Sequence, residues 1–323
     1  MSEKREVESR VGLGLAAIAR PAYITSGRDD DLGGGRSVEQ LRTRSEALLD
    51  AAYAGGVRYL DVARSYGLAE DFLAGWLRGR PDVHDVVIGS KWGYRYVGDW
   101  QPDAAVHEVK DHSKAAFTEQ VRLTRELLGD RLAIYHVHSM TPDSSALTDQ
   151  ALHRALGELR DQGVRVGFST SGPAQAEVVR RAMDVMVDGE PLFTSIESTW
   201  NLLEPSAGPA LAEAARAGVT VIVKEVVANG RLAPGSSDPQ AAAVASRTLA
   251  RRLEVGVDQV AMAAALAQPW AWRVLSGAVT TDQLKENLAG ENLTLAPGDI
   301  DDITRQAQAP KEYWAERSGR SWT

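Results

Sequence analysis

GVRYLDVARSYGLAEDFLAGWLRGRPDVHDVVIGSK, residues 56–91, carries the unit from which the fold is read. Two short apolar runs of strand type, Val57–Asp61 and Val86–Lys91, flank an amphipathic run of helix type near residues 68–79. Strands that are apolar on both sides of the pleat belong to buried parallel sheets, because crossover helices cover them. The unit recurs on both sides of this stretch. Further strand candidates are Val11–Ile18, Leu132–His138, Arg165–Ser169, Phe193–Ser198, Val219–Lys224 and Arg273–Ser276. Helix candidates lie near 38–55, 114–129, 148–162, 174–187, 206–217, 240–253 and 281–289, with two more near 257–268 and 298–309. Alternation of this kind argues an α/β fold. Eight units favour closure into a (β/α)8 TIM barrel over an open sheet. No Pro/Gly/Ser linker divides the chain. Residues 1–323 are therefore expected to form one domain, a barrel over about 11–290 followed by a C-terminal helix and tail over 291–323.

Composition narrows the class. Lys and Arg number 36 against 44 Asp and Glu, a net charge of −8, and no Lys/Arg block stands out. That balance argues against nucleic-acid binding, which needs a basic face. The absence of cysteine excludes disulfides, thiolate metal sites and cysteine nucleophiles, and it suits a reducing compartment. The first ten residues, MSEKREVESR, lack the apolar core of a signal peptide. The most apolar stretch, Val260 to Val274, is interrupted by Gln268, Pro269 and Arg273. The expectation is a soluble, cytoplasmic protein with no membrane partner.

Two segments exceed plain connectors, 20–38 and 92–112, and both follow the C-terminal ends of strands, where barrels place their sites. The second carries Trp92, Tyr94, Tyr96 and Trp100 and is expected to form a pocket wall. Two other patterns mislead. GLGLAA, residues 12–17, matches a dinucleotide fingerprint, but Arg20-Pro21 follows where a helix must begin. His136-Val137-His138 puts two imidazoles on one side of a strand, yet none of the six histidines lies on strands five to eight to complete a metal site. No metal is expected, and His136 is read as a hydrogen-bonded core residue.

Four residues then remain at the ends of strands two to four: Asp61, Tyr66 five residues later, Lys91 and His138. Adjacent strands run about 4.8 Å apart, so these groups can converge at one mouth. A buried lysine requires a partner, which Asp61 can provide. Each residue alone has a bland explanation; an acid, an ammonium, a phenol and an imidazole on one rim do not.

In these residues the chain resembles the aldo-keto reductase family. Residues 56–70, GVRYLDVARSYGLAE, match the family pattern G-hydrophobic-R-x-hydrophobic-D-x-A-x-x-Y-G-x-x-E, and Lys91 and His138 match its strand-three lysine and strand-four histidine. Gly167-Phe168-Ser169, Trp200-Asn201-Leu202-Leu203, Ser276-Gly277-Ala278 and Gln283–Asn287 follow in order over roughly residues 11–290. The resemblance implies an NAD(P)H-dependent oxidoreductase acting on a small carbonyl or alcohol. Tyr66 would protonate the carbonyl oxygen, Lys91 would lower the phenol's pKa from about 10, Asp61 would hold Lys91, and His138 would orient the substrate. The implied cofactor residues are Ser169, Thr170, Glu197, Trp200 and Lys224 at the nicotinamide, with Gly277, Gln283, Glu286 and Asn287 at the adenosine.

The chain departs from that pattern at three contacts: Thr170 replaces the usual Asn, Glu197 the usual Gln, and Lys224 the usual aromatic residue. The usual 2′-phosphate clamp is also missing, with only Lys285 and Arg273 near, so NADP(H) and NAD(H) both remain open. Tyr23, Tyr94, Trp100, His112 and Trp200 are the expected pocket walls, and the tail Lys311–Thr323 either closes over the pocket or frays. Two other functions stay in view, a nicotinamide-binding barrel with a regulatory or sensing role and a metal-dependent hydrolase. Oligomeric state is not legible.

Overall fold

A computed structural model describes residues 8–25, 31–33, 35–320 and 322 of the chain. Residues 26–30 and 34 of the first long loop, and 321 and 323 of the tail, lie outside the described residues. The strands are β1 (Val11–Gly14), β2 (Tyr59–Asp61), β3 (Val87–Trp92), β4 (Tyr94–Tyr96), β5 (Glu108–Lys110), β6 (Leu132–Met140), β7 (Arg165–Thr170), β8 (Met186–Val187), β9 (Glu190–Pro191), β10 (Ser195–Thr199), β11 (Thr220–Lys224) and β12 (Arg273–Ser276). Eight of them close a parallel barrel in the order β1–β12–β11–β10–β7–β6–β3–β2, while β4–β5 and β8–β9 form two antiparallel hairpins. The fold is the expected (β/α)8 TIM barrel.

Helices α1 (Val38–Ala54), α2 (Ala69–Arg78), α3 (Lys114–Leu128), α4 (Gln150–Asp161), α5 (Gln175–Met183), α6 (Gly208–Arg216), α7 (Ala241–Leu253), α8 (Val257–Leu266) and α9 (Thr281–Ala289) surround the barrel, and α10 (Pro297–Thr304) and α11 (Pro310–Ser318) follow. Side-chain caps start several of them. Ser37 and Gln40 make a reciprocal capping box on α1, and Ser113, Asp149 and Thr280 accept from the first free N–H groups of α3, α4 and α9.

Side chains two apart on a strand share a face, and that period stacks the barrel interior in layers. Tyr59, Ile134, Ile222 and Leu275 form an apolar plug, and two residues further along their strands come Asp61, His136 and Lys224. Small residues make room for the plug. A Cβ on Gly12 would stand 2.8 Å from the Tyr59 ring, and one on Gly89 only 2.3 Å from its hydroxyl. The glycines of GLGLAA are therefore barrel-strand residues, in keeping with the rejected fingerprint.

Several expected boundaries move. The first strand ends at Gly14, not Ile18, because the chain turns there and Ala19 N–H bonds Leu15 O. Helix α5 stops at Met183, not 187, since the following residues peel into the β8–β9 hairpin. The helix expected near 298–309 ends already at Thr304 as α10, and a separate helix, α11, starts at Pro310; each has a proline in its first turn.

Gly167 offers a sharp test of the packing, since a Cβ there would stand 2.1 Å from Ser195 O and 2.7 Å from the His136 ring. Overpacking predicts that Gly167→Ala lowers stability by about 1–3 kcal/mol. Gly298→Ala, where nothing stands within 4 Å, is expected to stay within about 0.5 kcal/mol of the parent. Urea denaturation midpoints measure both.

Candidate active site

Lys91, next to last in β3, has its side chain fully buried, which is tolerable only with an ionic partner. Asp61 Oδ2, at the end of β2, lies 2.5 Å from Nζ. Glu197 Oε2 reaches the same ammonium from β10 at 3.1 Å. Two carboxylates thus face one cation where water is excluded. Burial and the neighbouring Glu197 push the Asp61 carboxyl up, whereas Lys91 and His136 hold Glu197 well below the usual range against its own burial. Lys91 remains charged: burial opposes it, but the two acids raise its proton affinity well above the ordinary lysine value.

Tyr66 stands on the loop leaving β2. Buried Glu70 pins this loop, accepting from Ser90 Oγ at 2.6 Å and Thr124 Oγ1 at 2.8 Å while pairing with Arg64. Arg64 N–H also bonds Lys91 O at 3.0 Å. The Tyr66 hydroxyl comes 3.5 Å from His138 Nε2, the rings meet edge to face at 5.4 Å, and Lys91 Nζ lies 5.0 Å from the phenol ring centre. Asp61, Tyr66, Lys91 and His138 are therefore brought together as expected from the sequence. The expected acidification of Tyr66 is not its net state, however. Burial pushes the phenol well above its ordinary value, and Lys91 only partly offsets that. Burial likewise keeps His138 neutral, well below the usual imidazole pKa. One strand layer lower, His136 bonds Ser195 Oγ at 2.9 Å.

A cavity of about 240 Å³ opens over these groups. Of the expected cofactor residues, Glu197, Lys224, Gly277 and Asn287 line it, and Tyr23 and Tyr94 form walls. The others are engaged elsewhere. Ser169 Oγ accepts from Ser139 N–H, and Thr170 bonds Ser198 and Gln175 inside the wall. Trp200 packs edge-on against Trp270. Gln283 bonds Val279 N–H and Asp31, and exposed Glu286 takes Gln259. Trp100 donates to Arg36 O, and His112 lies behind the wall with Nε2 2.7 Å from His138 O. Arg273 begins β12, far down the strand from Ser276, and pairs with Glu8.

The structure adds Arg20 and Arg317, which sequence reading did not single out, and ties Lys224 and the tail into the same mouth. Arg20 packs over the Tyr66 ring at 5.0 Å and pairs with Glu108 of β5 at 2.6 Å. Lys224 Nζ donates to Thr199 Oγ1 at 2.9 Å, which donates to Glu225, and Glu225 pairs with Arg317 of α11. Trp322 stacks on His107 at 4.4 Å and lines the cavity mouth, so the tail reaches the pocket. Arg20 was discoverable by position, because it opens the long segment 20–38 that follows the first strand. Arg317 and Trp322 come from the far end of the chain.

The cleft suits a dinucleotide. It runs from Tyr66 and His138 past Glu197 and Lys224 to Ser276, Gly277 and Asn287. A Cβ on Gly277 would meet nothing within 4 Å, so a ligand can approach the backbone there, and Asn229 Oδ1 is buried in the lining without a partner. Among the described residues, no three His, Asp or Glu side chains converge as metal ligands, and no helix is long and apolar enough to cross a membrane.

Known proteins resemble this chain in sequence and fold. YqkF, an uncharacterized oxidoreductase of Bacillus subtilis (strain 168), is 26% identical over 276 residues, 78% of this chain and 83% of that protein. The aldo-keto reductase str7 of Strobilurus tenacellus is 27% identical over 193 residues, 57% of this chain and 51% of that one. In fold, the holo form of aldo-keto reductase AKR11C1 from Bacillus halodurans matches with a TM-score of 0.66 at 22% identity, covering 94% of this chain and 93% of that chain. The family model described as the aldo/keto reductase family matches residues 32–307. With most of its length matched, the chain belongs to the aldo/keto reductase family and is an NAD(P)-dependent oxidoreductase.

Proposed function

We propose that the protein reduces small aldehydes or ketones to alcohols, or runs the reverse oxidation, with Tyr66 as the proton donor. The carrying observation is the Tyr66 hydroxyl 3.5 Å from His138 Nε2, above the Asp61–Lys91 pair and on the wall of the cavity. A nicotinamide dinucleotide held against Glu197, Lys224, Gly277 and Asn287 would supply the reducing equivalent to the carbonyl carbon.

The residues of the chain handle the oxygen. Ser65 Oγ lies 3.4 Å from His138 Nδ1. A serine hydroxyl donating there leaves the proton of the neutral ring on Nε2, facing Tyr66. A carbonyl oxygen between Tyr66 and His138 then accepts two hydrogen bonds, and it is oriented before any charge develops. Burial keeps Tyr66 protonated through the neutral range, ready to give its proton. Lys91 matters when that proton leaves, because an ammonium 5.0 Å from the ring lowers the free energy of the phenolate. Tyr23, Tyr94, Arg20 and Trp322 roof the site against water.

The adenosine end supports weak discrimination between NADH and NADPH. Among the described residues, Arg20, Lys224 and Arg317 are the cations lining the cavity, and none belongs to the Ser276–Asn287 stretch; Lys285 is on the exposed side of α9. A 2′-phosphate without a guanidinium or ammonium partner gains little, so dissociation constants for NADH and NADPH are expected within about tenfold of each other. Fluorescence titration with each dinucleotide checks this; a preference for NADPH far beyond that range would refute it.

Tyr66→Phe should lower kcat for carbonyl reduction by about 10²–10⁴-fold, with dinucleotide affinity nearly unchanged. Steady-state turnover on an aldehyde and ketone panel, alongside binding titrations, makes the comparison. Turnover retained by the variant would remove Tyr66 as the acid.

A further inference from the structure

The proton-donor scheme needs one carboxylate beside Lys91, and the structure has two. Lys91, Asp61 and Glu197 are at most 3% exposed in their side chains, and they come from three different strands, β3, β2 and β10. With every group ionised the cluster would carry a net negative charge in a dry interior, which is strongly unfavourable. Two oxygens show where relief lies: Asp61 Oδ1 is buried without a hydrogen-bond partner, and Glu197 Oε2 is buried with no hydrogen bond beyond the ionic approach of Lys91 at 3.1 Å. Ionised carboxylates only accept, so a facing pair cannot satisfy these atoms; one added proton makes one acid a donor to the other.

Among the described residues, Lys224 adds only a longer-range pull on Glu197, and no second cation touches the pair. From β6, His136 Nδ1 lies 3.7 Å from Glu197 Oε2 while its Nε2 is engaged with Ser195 Oγ. Burial holds that imidazole below its usual pKa, and hence neutral. From β11, Lys224 turns to Thr199 and Glu225. The remaining neighbours, Tyr59, Tyr66 and His138, are neutral at neutral pH.

We propose that Asp61 and Glu197 hold one proton between them across Lys91, and that its loss places a net negative charge beside Tyr66. Glu197 is thus a positioning residue that acts on Tyr66 through the Lys91 cluster. The shared proton stands on the resting geometry; its effect on turnover rests on Tyr66 being the proton donor. The sign follows directly. With the proton present, the cluster is neutral and Lys91 favours the Tyr66 phenolate. With the proton gone, the added negative charge raises the affinity of Tyr66 for its own proton. Tyr66 then becomes a weaker acid and reduction slows. Burial and Glu197 push the Asp61 carboxyl up to about 8, which locates the transition.

Infrared pH titration of the dinucleotide-free protein tests the first half. The wild type should show, at pH 6, a protonated-carboxyl C=O band that is lost with a midpoint near pH 8. Glu197→Gln and Asp61→Asn should each lack it, because a single carboxylate beside Lys91 stays ionised. Asp258 and Glu204, whose carboxyls burial also pushes up, contribute equally to all three proteins and cancel in difference spectra. No difference band in either variant would overturn the shared proton. The second half is read from the pH profile of kcat: the wild type should lose reduction rate through the same transition, and Glu197→Gln should lack that inflection. A band with unchanged profiles would overturn the coupling to Tyr66 alone. Absence of any reduction by the wild type would instead defeat the functional reading, with the infrared result standing by itself.

Discussion

The arrangement of the barrel mouth follows from one buried ammonium. Lys91 has no contact with solvent, and a charge so placed destabilises the fold unless acids reach it. Strands β2 and β10 deliver those acids, Asp61 and Glu197, from opposite sides. The loop leaving β2 is then held over the cluster by the Arg64–Glu70 pair and by Arg64 N–H on Lys91 O, which brings the Tyr66 ring onto the ammonium and its hydroxyl towards His138. The chemistry of the site is in this sense a by-product of how the fold neutralises a single cation, and the layer of Tyr59, Ile134, Ile222 and Leu275 beneath it keeps water from doing so instead.

A second ring of charge encircles the mouth, and here compensation is made between distant segments. Arg20 after β1 meets Glu108 on the β4–β5 hairpin, and Arg317 on α11 meets Glu225 after β11. Glu225 holds a left-handed backbone, φ 57°, as do Ala228 and Asn229 close behind it. Such conformations are disfavoured for residues with a Cβ and persist where the surroundings over-determine them. The Arg317 pair, the Asn201 Nδ2 bond to Glu225 O and the Lys224–Thr199 link provide that constraint. The loop that would face a nicotinamide is therefore shaped by the C-terminal helix as much as by the barrel.

Much of this was readable from residues 56–91 and their repeats, because both the short two-sided apolar runs and the Asp61–Tyr66–Lys91 spacing are local properties of the chain. His138, rather than His136, was identifiable because it lies two residues further along the strand towards the rim. What escaped sequence reading was tertiary in origin. Trp200 was expected at the nicotinamide, yet its indole turns to Trp270. Ser169 and Thr170 are engaged by hydrogen bonds inside the wall. The direction of the Tyr66 shift was also missed, since a motif shows which cation is near a phenol but not how completely water is removed from it. For the tail Lys311–Thr323, closure over the pocket and fraying were both open, and Trp322 lines the cavity; no local feature of the sequence singles out Arg317.

The α11 helix has one further consequence. It is nine residues long and is held by Tyr313 and Trp314 in the core, the Asn201 bond to the Tyr313 hydroxyl, and the Arg317–Glu225 pair. Short terminal segments open at lower free energy than a closed barrel. When α11 detaches, Glu225 loses its guanidinium and the loop behind it is released, although all eight barrel strands remain paired. On heating, catalytic competence would thus decay ahead of far-ultraviolet ellipticity, and a ligand that bridges Lys224 and Arg317 would bring the two transitions back into coincidence.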